Sequence, residues 1–305
     1  MEKINSIKYK LVGLIRRIIG LPGIIDKLTS IENKIQSHIH EPIEPQVRHL
    51  SGTTANTRKI IAESFIAGDG IEIGAFAYPL SVPNGATVKY VDKYSKEALD
   101  VSHKIVGLSL QDFGIDPASI INPDIIDDGE CLGKIGDLSQ DFVIANHVLE
   151  HFEDPIKGFK NMLRVLKHEG IIYLSLPEMR HSFDNVRQPT SFEHLLKDYH
   201  EGPEWSRSMA YAEFSKIFAA HGMDKGLFPR KTSKELVAFE EDIAKELDNA
   251  NFSIHFHAWT LDGMMEMFSK IKSIFNLAFE IKLIIKNNDE VVFIFQKTVP
   301  HIETH

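Results

Sequence analysis

Cysteine is almost absent. With Cys131 alone among 305 residues, the chain can close no internal disulfide and assemble no thiolate metal cluster, which fits a reducing, cytoplasmic compartment. An apolar run long enough to span a bilayer is missing as well. Residues 4–19 set Ile4, Ile7, Leu11, Leu14, Ile15 and Ile18 at helical spacing, but lysines and arginines interrupt them and no small-residue cleavage site is evident. Basic charge is also scarce: the net charge of −9 argues against a nucleic-acid binder. Lys3, Lys8, Lys10, Arg16 and Arg17 crowd into the first 20 residues against Glu2 alone, so the rest of the chain is more acidic still.

That basic amphipathic start is expected to form a helix lying on an anionic membrane surface through residues 1–20, a helix packed on the body being the plainer alternative. Ile24, Leu28, Ile31 and Ile35 follow at heptad spacing, a short coiled-coil stub suited to a homodimer. Glu41-Pro42-Ile43-Glu44-Pro45 reads as a stiff linker. The expected organisation is therefore an N-terminal segment, 1–45, and a body, 46–305.

In the body, helix and strand alternate. A helix near 55–67 precedes apolar strands at Ile71–Ile73 and Val88–Val91, and a helix over Ser95–Lys104 follows. Strands at Ile120–Ile126 and Phe142–Ala145 come next. Pro155–Leu166 has helical periodicity closed by Lys167-His168-Glu169-Gly170, and a strand at Ile171–Leu176 follows. This alternation predicts an α/β, Rossmann-like sheet with helices on both faces. Residues 178–254 break the rhythm. They show no strand and carry Leu236, Phe239, Ile243 and Leu247 on one helical side, as an inserted cap would. A helix from Thr260 to about Ile274 and a hairpin, Phe279–Ile285 with Val291–Gln296, end the body.

The organising stretch is Gly70-Ile71-Glu72-Ile73-Gly74, whose glycine allows backbone to approach a ligand. Asp92 ends the second strand, about 20 residues beyond Glu72, where a doubly wound sheet grips a nucleotide ribose. Together with Gln140-Asp141-Phe142-Val143-Ile144-Ala145-Asn146-His147-Val148-Leu149-Glu150-His151-Phe152-Glu153-Asp154-Pro155, this stretch resembles the class I S-adenosylmethionine-dependent methyltransferases, in their small-molecule branch, over about residues 68–298. The resemblance implies a seven-stranded mixed sheet whose last strand is antiparallel, and S-adenosyl-L-methionine as cofactor. It places Glu72 and Gly74 in the first cofactor motif, Asp92 on the ribose, Asp128 (or Asp127) on the adenine amine and Asn146 under the methionine part. One departure stands out. The family loop E-x-G-x-G-x-G is here Glu72-Ile73-Gly74-Ala75-Phe76-Ala77-Tyr78, and Pro79 and Pro83 predict a shortened or displaced first helix.

Methyl transfer to a hydroxyl is chiefly a positioning problem assisted by a base. His255, His257 and His147 are the candidate catalytic residues: the first two precede the Thr260 helix, and the third adjoins Asn146. His181, Asp184 and His194 follow the fifth strand and are expected to touch substrate. His147 and His151, four apart with Glu150 between, have metal-helix spacing. They are expected to begin the helix after the fourth strand, where similar residues of the family hold no metal, so none is expected. The acceptor is expected to be a small molecule or a glycan, as in surface-polysaccharide biosynthesis by resemblance. The alternatives are a non-catalytic scaffold of the same fold, or an enzyme using a different nucleotide.

Overall fold

The computed structural model describes residues 52–102 and 107–299. The amphipathic start, the heptad stub, the linker and the boundary at 45 lie outside them. In chain order come α1 (Gly52–Phe65), β1 (Asp69–Ile73), β2 (Thr87–Asp92), α2 (Lys96–Ser102), β3 (Ile125–Ile126), β4 (Gln140–Asn146) and α3 (Pro155–Val165). β5 (Leu166–Pro177), α4 (Phe192–Glu201), α5 (Glu204–Asp224), α6 (Ser233–Ala250), α7 (Leu261–Ile274), β6 (Phe279–Asn287) and β7 (Glu290–Lys297) follow. Arg58–His305 forms one compact unit.

The strands make one sheet in the order β3-β2-β1-β4-β5-β7-β6. β1 to β5 run parallel, while β7 enters antiparallel between β5 and β6. This is the Rossmann-like seven-stranded mixed sheet of the methyltransferases, as expected. Side chains alternate across each strand. Ile71, Ile73, Val143, Ala145, Ile172, Leu174, Phe293 and Phe295 therefore share one face with α3, α4 and α7. There Phe159, Phe268, Phe279 and Phe295 pack ring on ring, with centroids 4.7–5.5 Å apart. Phe142, Ile144, Tyr173, Val292 and Ile294 point the other way, against Ile61, Ala62 and Phe65 of α1 and against Leu80 and Val82.

Local chemistry sets the helix starts. Asp154 accepts from the Lys157 N–H with Pro155 in the first turn of α3, and Thr260 caps α7 through the Gly263 N–H at 3.2 Å. Thr232 and Glu235 form a reciprocal capping box on α6.

Three expectations change. No helix links β1 to β2: residues 74–86 form an irregular loop, in which Phe76 takes φ 48° and Leu80 packs on the α1 face. The third strand shrinks to Ile125–Ile126, because Pro123 lacks an N–H for the ladder and Ile120 turns instead to Leu99 and Leu110. Gly170 does not close α3, which ends at Val165. Its small size matters nonetheless, since a Cβ there would stand 2.9 Å from the Lys167 carbonyl oxygen.

The segment 178–254 is helical, as expected of a cap. α5 and α6 close over Tyr211, Ala219, Ile243 and Leu247, with Leu236 and Phe239 alongside. Arg187 fastens this layer to the body: it bonds Glu213 (2.8 Å), Asp184 (3.1 Å) and the carbonyls of His255 (2.8 Å) and Phe256 (3.1 Å). No helix among the described residues is long and apolar enough to cross a membrane.

Candidate active site

Parallel strands bring their carboxyl ends to one edge, and the ends of β2, β3 and β4 carry polar side chains there, with glycine at the end of β1 between β2 and β4. Asp92 ends β2 and is half-buried, and the Tyr94 N–H approaches its Oδ1 at 3.4 Å. Beyond β3, both oxygens of Asp127 bind backbone, the Asp128 N–H (2.9 Å) and the Lys134 N–H (2.7 Å). Asp127 therefore shapes the loop, and the more exposed Asp128 offers its second oxygen outward after accepting the Glu130 N–H at 2.8 Å. Gly74 ends β1 at φ 62°, where a Cβ would strike Val148 at 2.9 Å.

Glu72 points into the α1 face, 1% exposed, and takes the Leu80 N–H on both oxygens at 3.0 and 3.1 Å. Burial pushes its pKa up to about 7, while the Leu80 N–H, the Asn146 amide and Arg58 pull the other way. It thus anchors the loop that replaces the missing helix.

The same face carries a buried polar row absent from the sequence expectations. Ser175 donates to Asn146 Oδ1 at 2.9 Å, and Arg58 of α1 reaches Ser175 at 3.3 Å. Arg58 also grips Glu290 with both Nε (2.8 Å) and Nη2. Asn287 adds a bond at 2.7 Å, and His147 Nε2 stands 2.9 Å from Glu290 Oε2. Burial would raise the Glu290 pKa, yet Arg58 and His147 bring it down to about 2. For His147 burial disfavours the charge, but Glu290 and Glu150 outweigh it and raise its pKa. The only local signals were a glutamate at the start of a strand and one arginine on a helix, too far apart in sequence to be linked.

His255 and His257 end in different clusters. His255 Nδ1 lies 2.7 Å from Asp184 Oδ2. Burial acts against the Asp184 charge, but His255 and Arg187 prevail and its pKa falls. An ionised carboxylate only accepts, so His255 donates its Nδ1–H to Asp184 and its Nε2 is turned to the other side of the ring. That nitrogen is 3.9 Å from Glu150 Oε1. His257 instead stacks on Trp259, 5.5 Å between centroids, with Nε2 3.3 Å from the Glu153 carbonyl. His194 joins His257's cluster through Asp198 (3.1 Å), beside a cavity of about 390 Å³ that also meets Arg187 and Arg207. His181 stays apart, 47% exposed and 2.8 Å from Lys286 Nζ.

Full burial lowers the His257 pKa to about 3 from 6.5, with Asp198 opposing. The unfolded chain therefore binds a proton that the native state refuses, and stability falls as pH drops below 6.5. Comparison with His257→Gln isolates this effect. The wild type's stability relative to that variant should fall by up to about 1.4 kcal/mol per pH unit below about pH 6.5. Urea titrations across that range measure it, and parallel pH profiles would place the imidazole in water.

Residues 74–174, from the glycine turn through most of β5, match a family described as a methyltransferase domain. Among curated proteins, no match is found. The chain is similar to several solved structures. One, assigned as an S-adenosyl-L-methionine-dependent methyltransferase of Methanococcus maripaludis, is 14% identical over 86% of this chain and 100% of its own, TM-score 0.38. YcgJ of Bacillus subtilis is 14% identical over 81% of this chain and 98% of its own, TM-score 0.39. A methyltransferase assigned in Haloferax volcanii, solved with its Trm112 activator, is 10% identical over 81% and 90%, TM-score 0.43. The domain match over residues 74–174 and the seven-stranded mixed sheet are consistent with a class I S-adenosylmethionine-dependent methyltransferase.

S-adenosylmethionine is accordingly the expected cofactor, and the residues present fit it. Two carboxylates at the ends of β2 and β3 and an amide at the end of β4, across the glycine end of β1, suit a ribose, an adenine amine and a cationic sulfonium. Phe76, which replaces a family glycine, packs against the cluster of Leu99, Leu110 and Ile120. Tyr78 stands 40% exposed.

Proposed function

We propose that this protein transfers the methyl group of S-adenosylmethionine to a hydroxyl of a small molecule or glycan. The observation that carries the acceptor chemistry is the buried Asp184–His255 pair beside the end of β4, whose hydrogen bond through Nδ1 fixes the ring's orientation. In the transfer the acceptor oxygen bonds the methyl carbon, and the S–CH₃ bond breaks with its electrons left on sulfur. The hydroxyl proton leaves towards the histidine cluster at this edge, where His255 takes it, Asp184 orients the ring, and His147 faces the same oxygen of Glu150 as His255 does. His257 and His194, which line the cavity, are proposed to face the remainder of the acceptor, whereas His181 lies away from it beside Lys286. Asp92 holds the ribose, Asp128 or Asp127 the adenine, Asn146 the methionine part, and Glu72 and Gly74 shape the turn beneath. The role in surface-polysaccharide synthesis, the dimer and attachment to an anionic membrane through residues 1–20 belong to the same reading. Equal co-sedimentation of full-length and 1–20-deleted protein with anionic vesicles would remove the last.

Calorimetric titration with S-adenosylhomocysteine tests the core of the proposal. Binding is expected, and Asp92→Ala should weaken it by about 2 kcal/mol, roughly 30-fold, because two hydroxyls lose a charged acceptor. No heat at millimolar ligand would favour the scaffold reading. Unchanged affinity in the variant would move the ribose elsewhere. A screen of acceptors with methyl-labelled cofactor then identifies the substrate.

A further inference from the structure

Among the described residues, Glu150 is the carboxylate with both oxygens buried and unpartnered. It is 0% exposed, and neither carboxylate oxygen has a hydrogen-bond partner. A carboxylate buried this way lacks several kcal/mol of solvation unless something cationic replaces the water. Its surroundings are nitrogens at the wrong distance for hydrogen bonds. His255 Nε2 lies 3.9 Å from Oε1 and His147 Nδ1 lies 3.7 Å from the same oxygen. Ligand atoms of Glu150, His151 and His255 all fall within 4.8 Å of one another. Two ligands each about 2.0–2.2 Å from one ion can be up to about 4 Å apart, so the gap has the width of a shared cation.

The outer partners fit the same picture. Asp184 takes the Nδ1 proton of His255, the carboxylate–histidine arrangement that directs Nε2 to a metal. Ser253 Oγ stands 3.1 Å from His151 Nδ1 and holds that ring in place. The His151 and His255 rings meet edge to face at 4.7 Å, as two imidazoles converging on one point do. The spacing of His147, Glu150 and His151 alone fell short because they lie on a single short turn, Leu149–His151, with its flank. The donor that completes the set arrives from a segment 104 residues further along.

We infer that Glu150, His151 and His255 bind a divalent first-row transition-metal ion at the carboxyl end of β4. Imidazole nitrogens with one carboxylate select such an ion over magnesium or calcium. The site goes beyond the methyl-transfer reading. With the ion in place, Nε2 of His255 would hold the metal, and the metal would supply the Lewis acidity that lets the acceptor's hydroxyl release its proton to water.

The test uses full-length protein stripped with a chelator and titrated with Co²⁺, followed by the visible absorption of the bound ion and by equilibrium dialysis. One ion per chain is expected. Glu150→Gln and, separately, His151→Asn should weaken uptake by at least about 100-fold. His194→Asn, in the other histidine–carboxylate cluster, should bind as the wild type does. Circular dichroism in chelator confirms that each variant is folded, and Glu150→Gln, which removes an unpaired buried charge, should melt no lower than the wild type. Absence of uptake by folded wild type, retention in both variants, or loss in His194→Asn alone would each overturn the inference. The titration contains no cofactor, whereas S-adenosylhomocysteine binding is measured in chelator, so either idea can fail without the other.

Discussion

Arg58→Met is expected to lower the stability of the fold by about 3–5 kcal/mol, the cost of leaving a buried charge without its partner. Glu290, 0% exposed, would keep only Asn287 and His147. A second route gives the same size. The Glu290 pKa lies at about 2 in the fold against 4.5 in the free side chain, which corresponds to roughly 3 kcal/mol. This contribution is present above about pH 4.5 and is lost as pH falls towards 2, because the depressed carboxylate must be protonated. The double variant Arg58→Met/Glu290→Gln removes both charges and should recover much of the loss. Thermal and urea unfolding of the two variants measure this. A loss below about 1 kcal/mol in Arg58→Met would mean that water reaches the network.

His255→Gln should cut methyl transfer by about 10²–10⁴-fold while leaving S-adenosylhomocysteine affinity unchanged. The amide keeps the size of the ring but can neither accept the acceptor's proton nor, at that position, ligate an ion well. Asp184→Asn should fall in the same direction by a smaller factor, since the ring survives but its orientation and tautomer are no longer fixed. Arg187 also binds Asp184, so this second variant needs a melting check. Single-turnover assays with labelled cofactor on the acceptor found by screening provide the readout. Full activity in His255→Gln would move the chemistry to another side chain of the edge.

The sheet was legible because its signals are local. Apolar runs such as Ile71–Ile73 and the polar turn before Val291 announce strands whatever lies around them. The cap's helices were legible for the same reason, through the side of α6 bearing Ile243 and Leu247. Ile120–Ile126 misled because apolarity was read without Pro123, which denies that run a ladder bond. Of the site, the positions of Asp92, Asp128 and Asn146 on successive strand ends followed from topology. The roles of Glu72 and Glu150 did not, since they depend on a loop folding back to Leu80 and on a histidine returning after the cap. Arg58 and Glu290 lie beyond any sequence window.

The link between Arg58 and Glu290 joins positions 232 apart. A nascent chain leaving the ribosome therefore makes β1, β4 and β5 long before the glutamate that neutralises its arginine has been translated. Until then the guanidinium must remain hydrated, and the first helix cannot seat fully. Fragments truncated before the last hairpin should accordingly be recognised by chaperones and proteases as incomplete, however much of the parallel sheet they contain.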